Sequence, residues 1–163
     1  MHTLVLGLGN ILLQDEGLGV HALERLVAQY PLPDQVQAMD GGTLGLDLLP
    51  YLEQATDLLI LDAVQTGQPP GTLVRLEGAA IPTALALKLS VHQVGLQELL
   101  ALGDLQGKLP RRIVLWGMEP ASLDWGTELS SLIFSRLDDL VTAAVNELGE
   151  WDCLVHTPAS RGS

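Results

Sequence analysis

Acidic side chains follow three short apolar segments of this chain, at the points where those segments end. Asp15 and Glu16 come after the first segment, Asp40 after the second and Asp62 after the third. In an α/β fold the carboxyl ends of parallel strands meet at one edge of the sheet, where sites collect. An apolar strand gives no reason for an acid at its end, so these positions predict a shared site. The alternatives are a turn role for Asp40 and an N-cap role for Asp15.

His92 is the histidine whose predicted position best suits a metal ligand. Ser90 to Gln93 has the form of a capping box, which places His92 in the first turn of a helix. The helix macrodipole disfavours an imidazolium there, so the ring is expected to be neutral, as a metal ligand must be. The alternative is an exposed polar residue. With Glu16 and Asp62, His92 predicts a carboxylate–carboxylate–imidazole cluster that suits zinc or nickel.

The elements that must position these side chains alternate between strands and helices. Continuous apolar runs predict buried parallel strands, and Thr72 to Leu76 has the composition of an edge or antiparallel strand. The sequence therefore predicts an α/β fold, a three-layer α/β/α sandwich with a twisted, mainly parallel five-stranded sheet. His21 is expected on the surface of the first helix. The other predicted strands are Thr3 to Gly7, Gln35 to Met39, Leu58 to Leu61 and Ile113 to Trp116, and the last predicted helix spans Leu129 to Leu148.

Length and composition set the class of protein. The 163 residues predict one domain, over residues 1–150, followed by a loosely ordered tail over 151–163. A net charge of -12 opposes nonspecific binding to nucleic acid or to an anionic membrane. The N-terminus lacks the features of a signal peptide, and no apolar stretch approaches the roughly 18 residues of a membrane span. We therefore expect a cytoplasmic protein, and a monomer.

The glycines of the first loop raise the alternative of a nucleotide-binding domain. The run from Gly7 to Leu12 begins like a dinucleotide fingerprint, but Leu12 occupies the position of the third glycine or alanine. Carboxylates beside the loop would also repel phosphate. We therefore expect the glycines to allow a close backbone turn at the end of the first strand.

Five blocks of the sequence resemble one known family. Residues Leu6 to Val20, LGLGNILLQDEGLGV, resemble the opening of the [NiFe]-hydrogenase maturation endopeptidases. The other four blocks follow in the family order and cover nearly the whole chain. They are Asp40 to Thr43, Leu61 to Ala63, Ser90 to Leu96, and the segment from Gly117 to Gly126 with its G-x-x-P motif.

The resemblance implies a function as well as a fold. Such proteins remove a C-terminal peptide from the precursor of the hydrogenase large subunit after nickel has been inserted. By resemblance, Glu16, Asp62 and His92 are the catalytic and nickel-contacting residues, and the nickel is carried by the substrate. We also expect Asp40 to be a second-tier site residue, because Gly41 and Gly42 would allow close approach of the substrate backbone. Whether nickel acts in catalysis or only in recognition stays open, and a chaperone that senses the nickel-loaded precursor without cutting it is the alternative function.

Overall fold

The computed structural model describes residues 2–41, 48–78, 80–81, 110–151 and 153. The predicted helix that follows Ser90 lies outside these residues. The elements in chain order are β1 (Thr3–Gly7), a short 3-10 helix η1 (Gln14–Gly17), α1 (Leu18–Gln29), β2 (Val36–Asp40), α2 (Leu49–Gln54), β3 (Asp57–Ala63), β4 (Leu73–Glu77), β5 (Arg112–Met118) and α3 (Ser131–Glu150).

The five strands form a single mixed sheet in the order β2-β1-β3-β5-β4. The pairs β1–β2, β1–β3 and β3–β5 are parallel, and β4 pairs antiparallel with β5. Every residue of β1 and β3 is buried, which explains their continuous apolar sequences. Exposed and half-buried residues alternate along β4, as they do on an edge strand. The predicted mainly parallel sheet, including the antiparallel edge, is confirmed.

Two apolar layers cover the two faces of the sheet. Successive side chains of a strand point to opposite faces, so β3 supplies Leu59 and Leu61 to one layer and Leu58 and Ile60 to the other. The first layer packs against α1 and α3 through residues such as Leu137. The second packs against α2 and its N-cap residue Leu48. The structure is therefore the predicted α/β/α arrangement.

The ends of the helices follow the local sequence. Helix α1 ends at Gln29, with Tyr30 as its C-cap directly before Pro31. Helix α2 carries Pro50 in its first turn, where the missing N–H costs no helical hydrogen bond. After α3, Trp151 and Cys153 are both buried in the core. The segment predicted as a tail thus begins with residues that pack against the domain. Among the described residues, no helix is both long enough and apolar enough to cross a membrane.

Candidate active site

The acidic positions predicted from the sequence lie along the carboxyl edge of the parallel strands. Gly7, the last residue of β1, pairs with Asp40 of β2 on one side and with Leu61 of β3 on the other. Two strand spacings of about 4.8 Å therefore separate the backbones of Asp40 and Leu61. Asp62 follows one residue further along β3. The structure thus brings Asp40 and Asp62 to the same edge, with the chain that leaves β1 between them.

Glu16 reaches this edge on the short helix η1. Glu16 is only 7% exposed, and η1 packs against β3. Asp62 is fully buried, and the N–H of Ala63 donates to its Oδ1 at 2.8 Å. Buried carboxylates are rare in proteins, because water stabilises the charged form better than an apolar interior does. Glu16 and Asp62 are therefore two buried carboxylates at one edge of the sheet whose presence apolar packing does not explain.

Two glycines allow the backbone to approach closely beside the predicted site. Gly9 has φ +123°, and a Cβ there would lie 1.8 Å from the carbonyl oxygen of Glu16. Gly117 of β5 pairs with Asp62, and a Cβ there would lie 2.1 Å from the Asp62 carbonyl oxygen. Any side chain at either position would displace the backbone that carries one of the two acids. The glycine of the first loop is thus used for a close backbone turn, as the sequence analysis expected.

Asp15, the neighbour of Glu16, has a structural role that differs from the predicted N-cap. Helix α1 is capped at Gly17 without any side-chain hydrogen bond. The Asp15 carboxylate instead accepts four hydrogen bonds from a distant segment. The donors are the N–H groups of Ala121, Ser122 and Ser130 and the hydroxyl of Ser130, at 2.7 to 2.9 Å. Because Ser130 is the N-cap residue of α3, Asp15 joins η1 to the start of that helix.

Glu119 organises the loop that follows Asp62. Its carboxylate Oε1 accepts hydrogen bonds from the N–H groups of Thr66 and Gln68, both at 2.8 Å, and from the Thr66 hydroxyl at 3.2 Å. Its own backbone N–H donates to the carbonyl of Thr72. Glu119 was not among the site residues predicted from the sequence. The available signal was an acid inside the G-x-x-P segment, directly after a strand.

The second tier of predicted contacts is partly described. Asp40 is exposed at the end of β2, and the buried Gly41 follows it. The N–H of Gly41 donates to the carbonyl of Gly7 at 2.9 Å, which keeps this turn against the end of β1. Gly42 lies outside the described residues.

The predicted histidine ligand also lies outside the described residues, since they do not include His92. In the part of the chain that the structure covers, no three histidine, cysteine or acidic side chains are grouped as a metal site would require. Glu16 and Asp62 are thus the two predicted ligands whose positions are known. Carboxylate oxygens fit a divalent cation, and the third donor is assigned by sequence alone.

His21 differs from its predicted surface position. It is half-buried on α1, its Nε2 is fully enclosed, and no described group forms a hydrogen bond with that nitrogen. The ring lines a groove of about 730 Å³ between α1 and α3, together with Arg25 and Phe134. Neither Glu16 nor Asp62 lines this groove, which is therefore a feature separate from the acidic edge.

Comparison with known proteins gives the class to which this fold and this acidic edge belong. Residues 20–147 match the family model for hydrogenase maturation protease, so the chain belongs to the hydrogenase maturation protease family. It is therefore a protease.

Individual relatives support the same assignment over nearly the full chain. The hydrogenase expression/formation protein HupD of Rhodobacter capsulatus is 43% identical over 151 residues, which cover 91% of this chain and 72% of HupD. The hydrogenase 2 maturation protease of Escherichia coli K12 is 37% identical over 153 residues, covering 91% of this chain and 93% of the relative. The solved structure of the hydrogenase maturating endopeptidase HybD from E. coli superposes with a TM-score of 0.92 at 34% identity, covering 98% of this chain and 99% of HybD.

Proposed function

We propose that this protease hydrolyses one peptide bond near the C-terminus of the precursor of a [NiFe]-hydrogenase large subunit, after nickel has entered that precursor. Membership of the family supports the precursor as the substrate. The observation that carries the proposal is the pair of buried carboxylates, Glu16 and Asp62, at the carboxyl edge of the sheet.

Nickel belongs to the substrate in this proposal. Glu16 and Asp62 would each offer a carboxylate oxygen to the metal that the precursor carries, and His92 would offer an imidazole nitrogen. A divalent cation favours the ionised form of nearby carboxylates, so its arrival offsets the cost of burying them. The three side chains would thereby distinguish a loaded precursor from an empty one. Asp40, Gly41 and Gly42 would contact the substrate backbone beside them.

The reaction adds water across one amide bond. Water attacks the carbonyl carbon, the C–N bond breaks, and the products are a new C-terminal carboxylate and a free amine. The bound metal can polarise the scissile carbonyl or activate the water. In a recognition role it only holds the precursor in place. A catalytic role predicts that Asp62→Asn lowers kcat at saturating precursor, whereas a recognition role predicts a higher KM with kcat largely retained.

A cleavage assay tests the proposal. The large-subunit precursor is prepared with and without nickel, incubated with the protein, and followed by a gel shift that reports loss of the C-terminal peptide. Cleavage of the loaded form alone is the expected result. Binding without cleavage would support a nickel-sensing chaperone instead. Cleavage regardless of nickel would retain the protease and overturn the role given to Glu16, Asp62 and His92.

Substitutions test whether Glu16, Asp62 and His92 belong to the active site. Asp62→Asn is nearly isosteric and removes the charge, so we expect kcat/KM for the loaded precursor to fall by a factor of 100 or more, with the fold retained. Glu16→Gln and His92→Ala should behave alike. Glu53→Gln is the matched control, because Glu53 is exposed near the end of α2, shortly before β3 begins at the opposite edge. A folded Asp62→Asn variant with full activity would remove Asp62 from the site.

A further inference from the structure

Four apolar side chains are exposed next to the acidic edge. Trp125 is 80% exposed, and Ile11 and Leu12 are 46% and 49% exposed. Leu123, two residues before Trp125, completes the group at 38%. We refer to these four residues as the rim patch. Trp125 stands out, because a tryptophan is highly buried in most folded proteins.

Backbone hydrogen bonds unite the two loops that form the rim patch. The N–H of Gly126 donates to the carbonyl of Leu12 at 2.9 Å, and the N–H of Gln14 donates to the carbonyl of Gly126 at 2.9 Å. The Asp15 carboxylate also accepts a hydrogen bond from the N–H of Ser122 in the same segment. Trp125 is thus presented on a loop that is held on both sides. An exposed anchor on an ordered loop loses little conformational entropy on binding.

The rim patch is continuous with the helix that carries Glu16. The backbone of Ile11 lies so close to Gly17 that a Cβ on Gly17 would approach the Ile11 Cα to 2.8 Å. Only a few residues separate Leu12 from Glu16 along the chain. The rim patch therefore lies beside Glu16, where a protein substrate bound at that carboxylate can contact it.

We infer that the rim patch is a docking surface for the precursor, and that Trp125 is its anchor. This inference rests on the proposed function. The occupant is an apolar segment of the precursor close to the bond that is cut. Asp124, which precedes Trp125 in the chain, is exposed, and the chain as a whole carries a charge of -12. Basic residues flanking the apolar segment would complement this rim and speed association.

Steady-state kinetics with the nickel-loaded precursor test the inference. Truncating an interface anchor typically costs 2 kcal/mol or more, which corresponds to about thirtyfold in affinity. We expect Trp125→Ala to raise KM by about thirtyfold and to leave kcat within about twofold. Leu12→Ala should raise KM by a smaller factor, since leucine supplies less contact area. Because both side chains are exposed, we expect both variants to fold.

Val27→Ala is the matched control. Val27 is 52% exposed on α1, nine residues or about 13 Å along the helix from its start beside Glu16. The KM of the Val27→Ala variant should equal that of the unmodified protein. An unchanged KM for folded Trp125→Ala would overturn the inference while the proposed function stands, whereas failure of the unmodified protein to cut would overturn the proposed function itself. Sedimentation provides a further check, because a dimer that Trp125→Ala dissociates would assign the patch to a second copy of this chain instead.

Discussion

Replacing Asp15 by asparagine is expected to destabilise the protein by about 4–6 kcal/mol. Hydrogen bonds to a charged group contribute about 1.5–3 kcal/mol each, and neutral ones about 0.5–1.5. Asp15 Oδ2 accepts three such bonds and Oδ1 accepts one. If the amide oxygen takes the place of Oδ2, three bonds weaken by about 1 kcal/mol each. The amide NH2 then faces the N–H of Ser130, which loses its partner at a further cost of about 1–3 kcal/mol.

Urea denaturation, followed by far-UV circular dichroism, measures this loss. Asp34→Asn is the control, because Asp34 is exposed in the turn before β2 and should change stability by less than about 0.5 kcal/mol. Hydrogen exchange at the amides of Ala121, Ser122 and Ser130 should accelerate in Asp15→Asn. Since Asp15 adjoins Glu16, processing of the precursor should slow as well. A loss of stability below about 1 kcal/mol would refute the reasoning that this carboxylate joins the two segments.

Two further substitutions test other parts of the fold. Glu147 is buried, accepts hydrogen bonds from Arg75, Trp116 and Trp151, and has its pKa lowered chiefly by its hydrogen bond with Arg75. Its contribution to stability is therefore present above the ordinary glutamate pKa of about 4.3 and is lost as the pH falls through the lower folded value. Glu147→Gln should cost about 2 kcal/mol in urea denaturation at pH 7 and much less at pH 3, whereas an equal cost at both would contradict the ion pair. Gly9→Ala should lower the melting temperature far more than Gly67→Ala. Both positions have positive φ, so the backbone strain is shared, but a Cβ at Gly9 would meet the carbonyl oxygen of Glu16 whereas a Cβ at Gly67 meets nothing within 4 Å. Equal losses would show that backbone strain, and not the approach to Glu16, limits position 9.

The fold class was predictable because the sequence of a strand reflects how much of that strand is buried. The continuous apolar run from Leu58 to Leu61 predicted a buried strand, and β3 is fully buried at the centre of the sheet. The half-polar run from Thr72 to Leu76 predicted an edge, and β4 is the antiparallel edge strand. These signals are local, since they depend on how many faces of a strand are covered. Polar positions inside helices carry no such signal, and the half-buried His21 was accordingly predicted on the surface.

The roles of the acids at the site could be predicted only in part. A position after a strand identifies the edge at which an acid lies, but it does not reveal what that acid contacts. Asp15 and Glu16 are adjacent in sequence, yet Asp15 is occupied by donors from residues 121–130. Those donors are more than 100 residues away along the chain, so no local pattern could have indicated them. A separation of 51 to 53 residues likewise conceals the contact between Glu119 and the loop after Asp62.

These two long-range contacts have a common consequence for the predicted site. Asp15 ties the segment after β1 to the loop before α3, and Glu119 ties the segment after β5 to the loop after β3. All three segments that leave the carboxyl edge of β1, β3 and β5 are thereby joined through buried carboxylates and backbone N–H groups. Because these donors belong to the chain itself, the backbone segments that carry or adjoin Glu16, Asp62 and Trp125 are joined without a bound precursor. Under the proposed function, the precursor would then meet an edge whose backbone needs little reorganisation, which lowers the cost of binding.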